Sequence, residues 1–309
     1  MKTATSASSA ISLRGELDRH YHAFNREAAA ADPVELVRPF ADPADREIAG
    51  FCAAALAFGR VASVLQSIQA LFRLMGPHPA AFTRRFDPSR DGRAFDGLVH
   101  RWTRGRDLAA LIWILRTMLE RSGSIEGFFL EGFEEDHVDV GPALDSFSRR
   151  ARAVDLRPVY GLPSRGGRSP RARGRKTGAP KRLGVHYFFP CPSGGSGCKR
   201  LNLFVRWMVR RDQVDLGVWT RVPAAKLIVP LDTHVIRLGR CLRLTRYASP
   251  GWKMAAEITA SLRAIDPADP VKFDFSLCHL GMMNACGYGR PQRDSQCPLR
   301  GICRPRAKA

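Results

Sequence analysis

The sequence predicts an all-α fold. Apolar residues recur over long stretches at the three-and-four spacing of a buried helix face, and those stretches end at glycine or at the turn DPADP. Strand patterns are scarce: the short apolar runs HYFFP and KLIVPLD are each broken by proline and read as loop entries. With 309 residues, 45% of them hydrophobic, the chain has enough apolar surface for one large core or two smaller ones, and two lobes are expected.

In chain order, the start MKTATSASSAISLRGELDRH is rich in Ser and Ala, lacks an apolar signal-like stretch and soon meets Glu16 and Asp18. It reads as a frayed terminus. AAALAFGRVASVLQSIQALFRLMG carries apolar residues at 56, 58, 61, 64, 65, 68, 71, 72 and 75, a helix that Gly59 bends or divides. DLAALIWILRTMLE, residues 107 to 120, is a strongly apolar helix with Asp107 in its first turn and Gly123 as its stop. SIEGFFLEGF and ALDSFSRRARAV are shorter helices, and MAAEITASLRAI, residues 254 to 265, is a helix closed by DPADP. Between them, residues 164 to 182 hold eight basic residues, no acids, four glycines and two prolines, a composition that builds no core and suits a flexible surface insertion able to attach to phosphates.

The formal charge of +20 exceeds what solubility requires and points to a polyanionic partner, nucleic acid first. Membrane binding is the lesser reading, because no apolar stretch approaches the roughly 18 residues of a span. Only eight of the 49 basic residues are lysine, which arginine's fit to phosphates and a GC-rich genome explain equally. With no export signal, the eight cysteines read as thiols or metal ligands in a reducing, cytoplasmic compartment.

Two stretches carry chemistry. In GGSGCKRLNLFVRWMV, residues 194 to 209, Gly195 and Gly197 allow a tight turn, and the helix that follows offers free N–H groups as an anion seat beside Lys199. Arg200 stands where a Walker A loop requires a hydroxyl, so this is no nucleotide-binding loop of that kind. About thirty residues on, KLIVPLDTHVIRLGRCLRLT places Asp232 at the mouth of a helix over residues 233 to 243. Asp232 is either an N-cap acid alone or a functional carboxylate as well.

Together these stretches resemble the helix-hairpin-helix DNA glycosylase superfamily, the endonuclease III-like group. Gly195-Ser196-Gly197-Cys198-Lys199 resembles the G-V-G-x-K of its hairpin, and Leu231-Asp232-Thr233-His234-Val235-Ile236-Arg237-Leu238 resembles its V-D-T-H-V-x-R-V. EIAGFCAAALAFGRVASV is similar to the early helix whose end enters the duplex, which places Phe58, Gly59 and Arg60 at the DNA with Gly195, Gly197 and Arg200. K-R-L-N-L-F-x-R-W-M-V-R resembles a bacterial branch of that superfamily. Coverage runs from about 46 to 75 and 186 to 303. Cys191-Pro192-Ser193-Gly194 replaces the family's Leu-Pro before the hairpin glycine, and Arg200-Leu201 replaces its Thr-Ala.

The resemblance implies a six-helix barrel with the hairpin over residues 34–222, and a second helical lobe from 1–33 and 223–309. It implies a DNA repair glycosylase acting on double-stranded DNA, a monomer associated with the nucleoid, with Lys199 and Asp232 as catalytic residues across a groove. Asp232 would stabilise the positive charge that develops on the sugar. Lys199 would attack C1′, displace the base and form a Schiff base, with strand nicking to follow; if it stays protonated on a phosphate, the enzyme only removes bases. His234 reads as a helix-cap or structural residue. A flipped base needs an aromatic slot, for which Phe188, Phe189, Trp207 and Phe275 are candidates. Many relatives end in C-x6-C-x2-C-x5-C around a [4Fe–4S] cluster. Cys286, Cys297 and Cys303 resemble three of those positions, Asp294 stands in place of the second cysteine, and Cys278 is the alternative thiolate; zinc or no metal are the other readings. Cys198 sits where a helix N-terminus lowers a thiol pKa. A noncatalytic DNA- or RNA-binding protein, and a phosphate-binding enzyme unrelated to repair, are the competing classes.

Overall fold

The computed structural model describes residues 13–26, 32–161 and 183–282, together with 299, 302 and 303. The basic segment 164–182, Cys286 and Cys297 lie outside the described residues.

The described chain is mostly helical, as the periodicity predicts. Helix α1 spans Leu13–Phe24 and α2 Pro43–Leu56, the latter capped by Asp42, whose carboxylate accepts from Ala44 N–H. Gly59, at φ +111, then breaks the expected long helix, and α3 runs Val61–Met75 with Val64, Ile68, Leu71 and Met75 buried on one face. Short α4 (Pro79–Arg85) and α5 (Pro88–Asp91) each start on proline, whose missing N–H costs nothing at a first turn. Strands β1 (Val99–His100) and β2 (Thr103–Arg104) form a small antiparallel hairpin that the sequence pattern does not reveal. Helix α6 (Gly105–Ser122) is the apolar helix expected from residue 107, with Asp107 in its first turn and Gly123, at φ +78, ending it. α7 (Ile125–Leu130), α8 (Gly141–Arg152) and α9 (Arg157–Tyr160) follow. After residue 183 come α10 (Lys199–Val209), α11 (Thr233–Cys241), α12 (Trp252–Arg263) and α13 (Asp274–Met282).

Packing centres on α2 and α10. Gly50 lets α10 come close, since a Cβ there would stand 2.8 Å from Met208 Cε, and Phe51 meets Phe204 edge-on at 5.0 Å. α13 packs on α1 and on α11, where a Cβ on Gly281 would collide with His234. Buried residues of residues 34–222 and of 223–282 join one continuous apolar core.

Below that core lies a buried ionic cluster. Arg206 pairs with Asp215 at 3.1 Å and with Asp274, and Arg210 pairs with Asp212 at 2.8 Å, Asp269 at 2.9 Å and Asp215. Charges removed from water this completely are tolerated only when paired, so the cluster fixes the C-terminal end of α10 against α13.

Candidate active site

The turn before α10 is built to place one lysine. A single 3-10 turn, Pro192–Gly194, is held by Ser193 N–H donating to Asp145 at 2.9 Å. Gly195 then takes φ +79 and Cys198 φ +46, the latter an uncommon value for a side-chain-bearing residue. Trp252 N–H donates to the Gly195 carbonyl at 3.1 Å, and Asn202 Nδ2 to the Gly197 carbonyl at 3.1 Å. Gly251 lies so close that a Cβ there would stand 2.8 Å from the Gly195 oxygen, which ties the turn to the start of α12. Lys199 follows as the first residue of α10, half-buried, as the glycine pattern predicts. The element before the turn is a five-residue 3-10 helix, Gly184–Phe188.

Asp232 is the N-cap of α11. Its Oδ1 accepts from His234 N–H at 2.9 Å and Val235 N–H at 2.7 Å, so the capping reading holds, and His234 serves through its backbone. The other oxygen faces α13, where Cys278 Sγ donates to Oδ2 at 3.0 Å. Burial and then the Asp232 carboxylate push the Cys278 thiol well above its usual range, while Lys199 pulls it the other way. Asp232 thus bonds the half-buried Cys278 thiol directly, and Lys199, at the start of another helix, acts on it only through its charge.

Lys199 opens onto a cleft of about 680 Å³ whose wall includes Phe58, Trp102, Tyr187, Leu231 and Gly251. Trp102 stacks on Phe58 at 5.0 Å and meets Tyr187 edge-on at 5.3 Å. Trp102 and Tyr187 are exposed, and Phe58 is half-buried between them and the core. Phe188, Trp207 and Phe275 are instead buried in the core, and Phe189, also buried, only backs the cleft.

Placement of the other expected residues is mixed. Phe58 lines the cleft, and Gly59 and Arg60 are exposed beside it. Gly195 and Gly197 form the turn. Arg200, expected at DNA, turns inward: its guanidinium donates to the Ala55 carbonyl at 3.1 Å and the Tyr187 carbonyl at 2.5 Å and lies 3.8 Å from the Tyr187 ring centroid. Burial lowers its pKa to about 10. An arginine spent on two buried carbonyls has little left for a phosphate, so Arg200 is a structural strut. Cys198 is likewise not activated, because burial pushes its thiol up to about 12 and Sγ donates to the Pro190 carbonyl at 3.5 Å.

For the metal reading, the Cys278 thiol donates to Asp232, a bond that a metal would have to replace. Cys303 is half-buried against the core, and Cys286 and Cys297 fall outside the described residues.

The sequence reading missed Cys278 as the partner of Asp232 and Trp102 as a cleft wall. No local pattern marks either. A family model described as a protein of unknown function (DUF2400) matches residues 32–283. No curated protein and no solved structure matches the chain.

Proposed function

From the premise that this chain belongs to the DUF2400 family, we propose that it is a DNA glycosylase that extrudes and excises a base, with lyase activity through Lys199. One observation carries the proposal: the lysine that opens a glycine-turn helix lines an aromatic-walled cleft, and the same wall holds Leu231, next to the aspartate that caps a second helix. In the barrel reading, residues 34–222 form the helical lobe with the hairpin, and the terminal segments form the second lobe.

The chemistry divides between the two side chains. Asp232, negatively charged at the positive end of α11, stabilises the charge that builds on the sugar as the N-glycosidic bond breaks. Lys199 Nζ, when neutral, attacks C1′ and the base leaves with the bonding pair and a proton; passing the second nitrogen proton to O4′ then breaks the C1′–O4′ bond and gives the open-chain Schiff base. Abstraction of a C2′ proton then expels the 3′ phosphate. No step runs through an iron–sulfur cluster. The surplus of arginine serves double-stranded DNA and nucleoid association; among the described residues no helix is long and apolar enough to cross a membrane.

A second reading has one observation in its favour. Both Asp232 oxygens are already engaged, by the α11 backbone and by Cys278, as a purely structural carboxylate would be. On that reading the protein binds nucleic acid without turnover. Borohydride trapping on DNA containing an abasic site separates the two. A covalent adduct lost in Lys199→Ala supports the lyase; an adduct unchanged in that variant removes Lys199 as nucleophile; affinity for DNA with no excision on a lesion panel favours the binding protein.

A further inference from the structure

The β1–β2 hairpin takes no part in the chemistry above, lies where the glycosylase resemblance is poor, and ends in Arg101 and Trp102 at the rim of the cleft. Trp102 is 55% exposed, an unusual state for the largest apolar side chain, yet it is not loose. Phe58 covers one face of its indole at 5.0 Å and Tyr187 abuts its edge at 5.3 Å. Phe58 is fixed in turn by His100, whose ring lies 4.5 Å away edge-on and whose nitrogens bond Ser67 Oγ and the Phe58 carbonyl, both at 2.9 Å. The result is a braced indole that remains more than half exposed on the cleft rim.

Arg101 reinforces this. It takes φ +55, a left-handed conformation rare for a side-chain-bearing residue and usually kept only where the surroundings impose it. That turn sets its guanidinium against Gly59, where a Cβ would stand 2.9 Å from Nη1, and 5.5 Å from the Trp102 ring centroid. Gly59 is thus required for the close approach as well as for its own positive φ. Arg60 is exposed on the adjoining turn, and among the described residues Arg60, Arg101 and Lys199 have no acidic partner.

We propose that the Arg101–Trp102 hairpin tip is a nucleobase-stacking element: the exposed indole takes an unpaired base of a nucleic-acid strand, while Arg60 and Arg101 hold the phosphates that flank it. A flat aromatic ligand and an adjacent anion are what an exposed indole and two uncompensated guanidinium groups recognise together. An apolar protein partner would use the ring and leave the cations desolvated and unpaired. The inference rests on the nucleic-acid half of the proposed function and is independent of its bond-breaking half.

The test compares the full-length protein on two labelled duplexes, one fully paired and one carrying a single bulged base, by fluorescence anisotropy. Wild type prefers the bulged duplex. Trp102→Ala weakens binding to it about tenfold, equivalent to about 1.4 kcal/mol and typical of one base–aromatic stack, and changes affinity for the paired duplex less than twofold; Trp102→Phe keeps most of the preference. Arg101→Ala weakens both duplexes alike and lowers the salt dependence. Equal binding of both duplexes by wild type, or a bulge preference intact in a folded Trp102→Ala protein, overturns the proposal. If Lys199 traps an abasic site while Trp102→Ala keeps the preference, the hairpin assignment fails alone; if the preference depends on Trp102 and nothing is trapped or excised, the catalytic reading fails alone.

Discussion

Replacing Asp232 by Asn leaves the fold intact and makes Cys278 more reactive. Asn is as good an N-cap as Asp, so its Oδ1 keeps the bonds from His234 and Val235 N–H and α11 stays anchored. At the second position a charged acceptor 3.0 Å from Cys278 Sγ becomes a neutral amide able to donate to the sulfur. Both changes favour the thiolate, so the thiol pKa falls. A bond to a charged group is worth about 1.5–3 kcal/mol, and a weak S–H donor puts this one at the low end. At 1.36 kcal/mol per pKa unit, about 1.5 kcal/mol gives roughly one unit, hence about tenfold more thiolate at a given alkaline pH. Alkylation by iodoacetamide, located at Cys278 by peptide mass spectrometry and followed between pH 7 and 9, reads this directly. A labelling rate at Cys278 that is unchanged or slower in Asp232→Asn refutes the hydrogen bond.

Four further outcomes follow from the same geometry. Asp232→Ala removes the acceptor for two helix N–H groups and lowers stability by about 1 kcal/mol in urea unfolding, where Asp232→Asn does not. Arg206→Met leaves Asp274 unpaired in the interior and Asp215 with Arg210 alone, and costs about 3–5 kcal/mol, again by urea unfolding. Gly251→Ala drives a methyl group against the Gly195 carbonyl, a misfit worth about 1–3 kcal/mol, and reduces abasic-site trapping while the circular dichroism spectrum stays helical. Burial pushes the Asp274 carboxyl up to about 7, against Arg206 and helped by Asp232. With the folded value above that of the unfolded chain, its contribution to stability is fully present below about pH 4 and is lost as pH rises through 7. Asp274→Asn, which cannot ionise, therefore flattens the fall in Tm across that window.

What the sequence made legible is what short-range physics determines. The division of α2 from α3 at Gly59, the stop of α6 at Gly123 and the N-cap at Asp232 each depend on residues within one helical turn. Contacts between distant segments were opaque: Cys278 reaches Asp232 across 46 positions, and two strands of two residues each carry no period to detect. Arg200 is the instructive case, because a signal was there. Arg200, Phe204 and Trp207 stand at i, i+4 and i+7 on α10, so the helical phase that buries the two aromatics also buries the arginine. Reading Arg200 from its place beside the hairpin lysine, and not from its place on the helix, sent it to the phosphates.

The double engagement of Asp232 bears on the choice between enzyme and binding protein. The two bonds at Oδ1 hold the carboxylate against the end of α11, and nothing in a reaction requires them to break. The bond at Oδ2 is different, because a thiol is among the weakest donors a carboxylate meets, so a water or a sugar with developing positive charge displaces it at little cost. Cys278→Ser puts a stronger donor in the same place, and the two readings then diverge. If Asp232 is catalytic, Cys278→Ser slows base excision while Cys278→Ala preserves or raises it, with DNA affinity unchanged in both. If Asp232 only caps its helix, neither substitution at Cys278 has a rate to move. Excision that falls equally in Cys278→Ser and Cys278→Ala contradicts both, and assigns the thiol itself a part in the chemistry.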